Sequence, residues 1–287
     1  MGAADVVPGV SGGTMAFILG IYTRLIDAIK SFDEQFVLAI FKLDIRRALG
    51  RPQFSFLIPL SLGIIAAIIF FTHVIPIPKL LHSHPELIYG LFFGLIVGSI
   101  IVLLVDVGWR SPTDVLAVFL GLVAGSVIIS IVPTETPDSW WFIMGSGALA
   151  ICAMVVPGIS GSFILLILGK YATVLDGIGK LDLTIILPFA VGAAFGLAAF
   201  TRLLSWLLHR LERTMVLVIS GFLLASLWVI WPFQERHYVT VRAKQRLLES
   251  IPIAPPLEFS TLEPLALALI GLAAVIGAAR LSKRSRK

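Results

Sequence analysis

The chain of 287 residues holds one cysteine, Cys152, set in an apolar run, so an internal disulfide and a multi-thiolate metal site are excluded. Charge is scarce as well: Asp, Glu, Lys and Arg make up 14% of the residues against 58% hydrophobic, and the mean hydropathy is +1.00. A soluble domain of this length cannot be built with so little polar surface, which leaves a polytopic membrane protein. Acidic residues are the scarcer sign, 17 against 22 basic, giving a formal net charge of +5 and a pI near 9.6. That excess does not point to nucleic acid, because the bases cluster beside apolar spans, as topology determinants do. The chain opens without a basic n-region, so no cleavable signal peptide is expected. Histidine is sparse, and His82-Ser-His84 has only Glu86 nearby, too few ligands for a metal centre. No metal and no cofactor are expected.

What the chain does have is one unusual motif twice, Val7-Pro-Gly-Val-Ser-Gly-Gly-Thr14 and Val156-Pro-Gly-Ile-Ser-Gly-Ser-Phe163. At one fixed offset both run on into Ile18-Leu-Gly20, Tyr22, Asp27 and Ile29, and into Ile167-Leu-Gly169, Tyr171, Asp176 and Ile178. This is an internal duplication. Weaker matches extend it: Ile58-Pro59, Gly63 and Phe71-Thr72 against Leu187-Pro188, Gly192 and Phe200-Thr201, then Gly94 and Ser99 against Gly221 and Ser226. Pro-Gly-x-Ser-Gly breaks a helix, yet both copies sit in apolar surroundings. Lipid tolerates broken backbone only where protein buries it or where it lines a cavity. Two such breaks at matching places in two halves point to a transporter's binding site. Gly- and Ser-rich stretches in membrane helices more often mark close packing, but a repeat in register favours the site.

Residues 14–29 read as one apolar helix, followed by a basic stretch, 30–53, that suggests an amphipathic interfacial helix. Spans of about 20 residues fall at 54–75, 87–105 and 114–132, then at 183–208, 215–233 and 264–281. A loop over 234–263 and a basic tail, 283–287, complete the chain. If each broken segment is a re-entrant hairpin, three crossings separate the two and the halves are oppositely oriented. The expected fold is therefore an all-α polytopic membrane protein of two inverted repeats, each a re-entrant hairpin plus three transmembrane helices. The repeats are residues 1–138 and 139–287. A full crossing by each broken segment would instead make them parallel. The first hairpin's face carries stretch 30–53, Arg110, Arg210, Arg213 and the tail, against Lys79, Lys180 and the few bases of loop 234–263 opposite. The positive-inside rule then puts that hairpin and the C-terminus in the cytoplasm of a multi-pass protein of the cell (inner) membrane. An apolar stretch, 140–156, precedes the second motif, whereas only residues 1–6 precede the first. Either the chain starts further upstream or the first broken segment has lost half of itself. Gly2-Ala-Ala-Asp-Val-Val reads as the tail of a helix, which favours the first, and the first repeat as given is expected to lack its upstream helix.

Proline ends the preceding helix, and Gly9 and Gly158 permit a tight tip. Ser11 and Ser160 are then placed to cap the helix that follows. A helix start with exposed N–H groups attracts anions, phosphate above all. Ser11, Gly12, Gly13 and Thr14 in the first copy, and Ser160, Gly161 and Ser162 in the second, are the expected substrate contacts. Among the bases within the apolar segments, Lys170, Arg24 and Arg202 are placed to meet an anion, since such residues mark functional pathways. Arg24 has Asp27 one turn away as a neutralising partner, and Arg202 has snorkelling to the nearby face as its alternative. Asp5, less than one turn before the tip, is the candidate for coupling to protons, with sodium the other ion to consider.

The run Gly2-Ala-Ala-Asp-Val-Val-Pro-Gly-Val-Ser-Gly-Gly-Thr-Met-Ala-Phe-Ile-Leu-Gly-Ile-Tyr22 closely resembles the polyprenyl-phosphate transporter family, and the span count and length fit it. The resemblance implies translocation of undecaprenyl phosphate, returning this lipid carrier from the outer to the inner leaflet for cell-wall and glycan synthesis. Its partners would be the polyprenyl-phosphate lipid and the bilayer; oligomeric state is not implied. The motif also resembles that of integral-membrane undecaprenyl-pyrophosphate phosphatases, but those place an arginine directly after the motif serine, where Gly12 and Gly161 stand here. Phosphoryl transfer needs charge neutralisation at the transferred group, so a non-enzyme is expected. An ion or small-anion secondary transporter is the remaining alternative.

Overall fold

The computed structural model describes residues 1–7, 11–75, 77–131, 136–241, 244–256 and 261–285; Pro8 and Gly9 of the first tip, and the side chains of His82 and the basic tail, lie outside the described residues. The first broken segment comprises α1 (Gly2–Asp5), α2 (Gly12–Ile18) and α3 (Tyr22–Lys30). Two short helices, α4 (Glu34–Phe41) and α5 (Ile45–Gly50), lead into α6 (Phe54–Ile69), which widens into a π-helical stretch, Phe70–Val74. Next come α7 (Ile77–Ser83), α8 (Pro85–Val107) and α9 (Pro112–Ile129). The second broken segment is α10 (Trp140–Val155), α11 (Gly161–Ile167) and α12 (Tyr171–Lys180), followed by α13 (Leu183–Arg210) and α14 (Glu212–Val229). Strands β1 (Gln234–Val241) and β2 (Lys244–Pro252) precede the last helix, α15 (Leu262–Ser285).

Six of these stretches are long and apolar enough to cross a membrane: Phe54–Val74, Pro85–Val107, Pro112–Ile129, Leu183–Arg210, Glu212–Val229 and Leu262–Arg280. The chain is an all-α polytopic membrane protein.

Three expectations need correction. Residues 14–29 are not one helix, because α2 stops at Ile18. Gly20 follows at φ 69°, and the N–H groups of Gly20 and Ile21 return to Phe17 O and Ala16 O at 3.0 Å each. That is a Schellman stop, which needs a residue free to take a left-handed backbone. Gly169, at φ 64°, repeats it with Lys170 N bonding to Leu165 O at 2.8 Å, and α11 and α12 meet at 109°. The amphipathic stretch is two helices and not one. Leu43 turns the chain at φ 54°, and Asp33 and Asp44 each restart it by accepting the Phe36 and Arg47 N–H groups at 2.9 and 3.1 Å. Finally, part of the expected 234–263 loop is an antiparallel hairpin pairing Gln234 with Pro252 and Val241 with Lys244, where Tyr238, Val239, Thr240 and Val241 give strand propensity.

Residues pack into two compact units, Met1–Phe71 with Ser130–Met215, and Thr72–Ile129 with Val216–Lys287. Each unit draws on both halves of the duplication. In the first, α10 lies along α13, so close that a Cβ on Gly192 would come within 1.8 Å of Met144 O. In the second, α8 lies along α15 and α9 along α14. A Cβ on Gly94 would come within 1.8 Å of Ala268 O, and one on Gly221 within 2.2 Å of Val118 O. Gly94 and Gly221 are matched positions, and each lets its helix touch a neighbour's backbone. In lipid, where helices gain little by leaving the solvent, such close packing supplies the association energy.

Candidate functional site

Both motifs lie in the first unit. Helix α10 ends because Pro157 forces Val156 to extended geometry, φ −72° and ψ 124°. Gly158 then turns at φ 92°, and extended Ser160 starts α11. Ser11, also extended at φ −113° and ψ 139°, starts α2 in the same way.

The two tips touch. The Thr14 hydroxyl oxygen accepts the Gly158 N–H at 2.9 Å, and the Ser11 hydroxyl donates to Met154 O at 3.2 Å. The Tyr22 hydroxyl donates to Val155 O at 3.0 Å, so the exposed carbonyls closing α10 are satisfied by the other copy. Ser11, Gly12, Gly13 and Thr14 are all buried.

The helix starts differ. At α2 the Ser11 oxygen accepts the Gly13 N–H at 3.1 Å, and the Asp5 carboxylate accepts the Gly12 N–H at 2.7 Å. The anion position of the first tip is thus filled by the chain's own carboxylate. At α11 the expected Ser160 cap is absent: its hydroxyl pairs with that of Ser162 at 2.7 Å. Ser162 stands where the first copy has Gly13, and its hydroxyl, not a backbone N–H, is the partner of Ser160. The Gly161 and Ser162 N–H groups donate to no protein acceptor among the described residues. One start is closed and buried, the other open.

Among the described residues, none of the three bases has a hydrogen bond, ion pair or ring contact to a tip residue. Lys170, only 2% exposed, donates to Thr136 O at 2.8 Å, pairs with Asp138, and lies 5.7 Å from the ring centre of Phe142. Thr136 also donates to Leu168 O, so the segment ahead of α10 is fastened across the α11–α12 bend. Arg24 stacks over Phe56 at 4.5 Å, a cation–π contact. It is not paired with Asp27. Arg202 donates to Ala198 O of its own helix at 2.8 Å.

Asp27 takes part in a network that sequence reasoning missed. Its carboxylate accepts the Ser205 hydroxyl at 2.8 Å and lies 3.4 Å from His209 Nε2, while Lys30 Nζ donates to the Ser205 oxygen at 3.1 Å. His209 Nδ1 meets Ser205 O at 2.8 Å, so it carries a proton, and Nε2 can hydrogen-bond Asp27 only when it is protonated too. Lys30, Ser205, Trp206, His209 and Arg210 line an open cleft of about 490 Å³. The available signal was the spacing: Asp27 and Lys30 at i, i+3, and Ser205 and His209 at i, i+4, each share a helix face.

The sequence pattern of the VCA0040-like family, described as undecaprenyl phosphate translocase-like, matches residues 1–247. The chain belongs to that family. It is similar to the polyprenyl-phosphate transporter of Vibrio cholerae serotype O1, at 37% identity over 267 residues, 91% of this chain and 85% of the relative. It is also similar to the polyprenyl-phosphate transporter of Staphylococcus aureus, at 30% over 254 residues, 81% of this chain and 83% of the relative. No solved structure matches it.

Proposed function

We propose that this chain carries undecaprenyl phosphate across the cytoplasmic membrane, returning it from the outer to the inner leaflet for cell-wall and glycan synthesis. The observation that carries the reading is the direct contact of the duplicated tips, Thr14 with Gly158 and Ser11 with Met154, which makes two helix starts into one locus. A phosphate monoester offers acceptors on every side, and the open Gly161 and Ser162 N–H groups are matching donors. The names of the similar V. cholerae and S. aureus transporters agree with that substrate.

Oppositely oriented repeats would present one tip to each face, with the prenyl tail left in lipid. The basic bias of stretch 30–53, Arg110, Arg210 and Arg213 puts the C-terminus in the cytoplasm on this reading. Asp5 is the coupling group: its carboxylate holds the Gly12 N–H and would repel an arriving phosphate, so a proton on Asp5 favours capture. Catalysis is the poorer reading. Lys170, Arg24 and Arg202 engage Thr136, Phe56 and Ala198, so the described groups at the helix starts are backbone N–H groups and hydroxyls.

Purified protein in liposomes tests this. A short-chain prenyl phosphate should flip, and the corresponding prenol should not flip faster than in empty liposomes. Equal acceleration of both would overturn the phosphate assignment.

A further inference from the structure

The cleft between the ends of α3 and α13 shares no lining residue with the tips, and its chemistry is that of an anion site. Lys30 lies in the last turn of α3, and His209 and Arg210 in the last turn of α13. Because α13 is of membrane-crossing length and ends there, the cleft opens at the boundary between hydrocarbon and water. Ser205 is fully buried, and its oxygen holds the Lys30 ammonium in place while its proton goes to Asp27. Asp27 offsets one positive charge. Arg210 has no hydrogen-bond or ion-pair partner among the described residues, so at least one positive charge in the cleft is uncompensated. Trp206 adds an apolar wall of the kind that sits at membrane interfaces.

We propose that this cleft is a second anion site, which takes the phosphate group of an anionic lipid at the membrane surface, separate from the tips. Guanidinium and ammonium together suit a phosphate: the first as a planar fork, the second as a point charge. The cleft, about 490 Å³ and open to one side, has room for a headgroup, with the chains outside it along Trp206. The same chemistry would accept free phosphate, and the measurement separates the two sources.

The experiment uses the full chain in detergent micelles and three probes: dihexanoyl phosphatidic acid, dihexanoyl phosphatidylcholine and inorganic phosphate, each titrated by calorimetry. Phosphatidic acid should bind well ahead of phosphatidylcholine, and a Lys30→Gln, Arg210→Gln double variant should bind it about tenfold more weakly, the scale of a lost charge-assisted hydrogen bond. A Lys30→Arg, Arg210→Lys variant keeps both charges and should retain most of the binding, which separates charge loss from damage to the fold. Inorganic phosphate competing at similar concentration would make free phosphate the ligand of the same site; failure to compete leaves the lipid. Unchanged affinity in the Gln variant, or equal affinity for phosphatidylcholine, would overturn the proposal. Neither result bears on the tips, which share no residue with the cleft.

Discussion

The hydroxyl oxygen of Thr14, in the first motif, accepts the backbone N–H of Gly158, in the second, at 2.9 Å. The bond has no mirror counterpart, because Phe163 stands at the matching position of the second copy. Thr14 is buried and Gly158 half-buried, so removing the oxygen leaves a partly shielded donor without its protein acceptor. Thr14→Val, nearly the same shape, should cost about 1–3 kcal/mol of stability and lower the thermal midpoint in detergent. Thr14→Ser keeps the oxygen and should sit close to the parent. Equal midpoints for the Val and Ser variants would mean the contact contributes nothing.

Gly12 and Gly161 occupy matching places but should respond differently to a methyl group. A Cβ on Gly12 would lie 2.7 Å from both Asp5 carboxylate oxygens, the mobile end of a side chain that can swing aside. One on Gly161 would lie 2.5 Å from Ala150 O, a backbone atom inside α10 that cannot. Gly12→Ala should therefore insert and fold while losing the Asp5 bond and part of its transport. Gly161→Ala should push α11 off α10 and lose about 1–3 kcal/mol, the usual cost of overpacking. Size-exclusion profiles and thermal midpoints of the two variants give the comparison, and a more damaged Gly12→Ala would contradict it.

Lys170 and Asp138 form an unequal pair: the ammonium is 2% exposed and the carboxylate 71%. Truncating the exposed partner leaves a buried charge with Thr136 O as its one remaining hydrogen-bond partner, so Asp138→Ala should destabilise by about 2 kcal/mol. That is below the full cost of breaking a buried pair, since water already reaches Asp138. Lys170→Met removes the charge itself and, since Lys170 has no hydrogen bond, ion pair or ring contact to a tip residue, should slow transport no more than it lowers stability. A Lys170→Met protein that folds normally yet fails to flip prenyl phosphate would return Lys170 to the substrate path.

The six spans were legible because hydropathy over about 20 residues is a strong signal, and bounds such as 183–208 differ from Leu183–Arg210 by two residues. The duplicated motif likewise announced a break at Val156. The second break, at Leu168, was less visible, since Ile167-Leu-Gly169 is apolar and its meaning lies in one positive φ. Partners of the charged residues were not legible at all. Arg24 and Asp27 are one turn apart, but Asp27 turns to Ser205, 178 positions further on, and Arg24 to Phe56. Helical spacing gives the neighbours on one helix; which helix lies opposite is a matter of tertiary packing.

Asp5 makes the sharpest test of coupling, because charge and hydrogen bonding can be separated there. Its Oδ1 accepts the Gly12 N–H at 2.7 Å, and an asparagine side chain offers the same acceptor without the charge. Asp5→Asn should therefore leave the α2 start intact and the thermal midpoint close to the parent. What changes is the competition: a carboxylate repels an incoming phosphate through a low-dielectric site, whereas an amide does not. In the parent, an imposed pH gradient should change the rate of prenyl-phosphate flipping, since acid neutralises Asp5 and admits the phosphate. In Asp5→Asn the rate should be nearly independent of the gradient, while a sodium gradient at clamped pH should leave both proteins unchanged. A parental pH response that survives intact in the variant removes Asp5 from the coupling, and a sodium response in the parent alone would make Asp5 a sodium ligand and not a proton carrier.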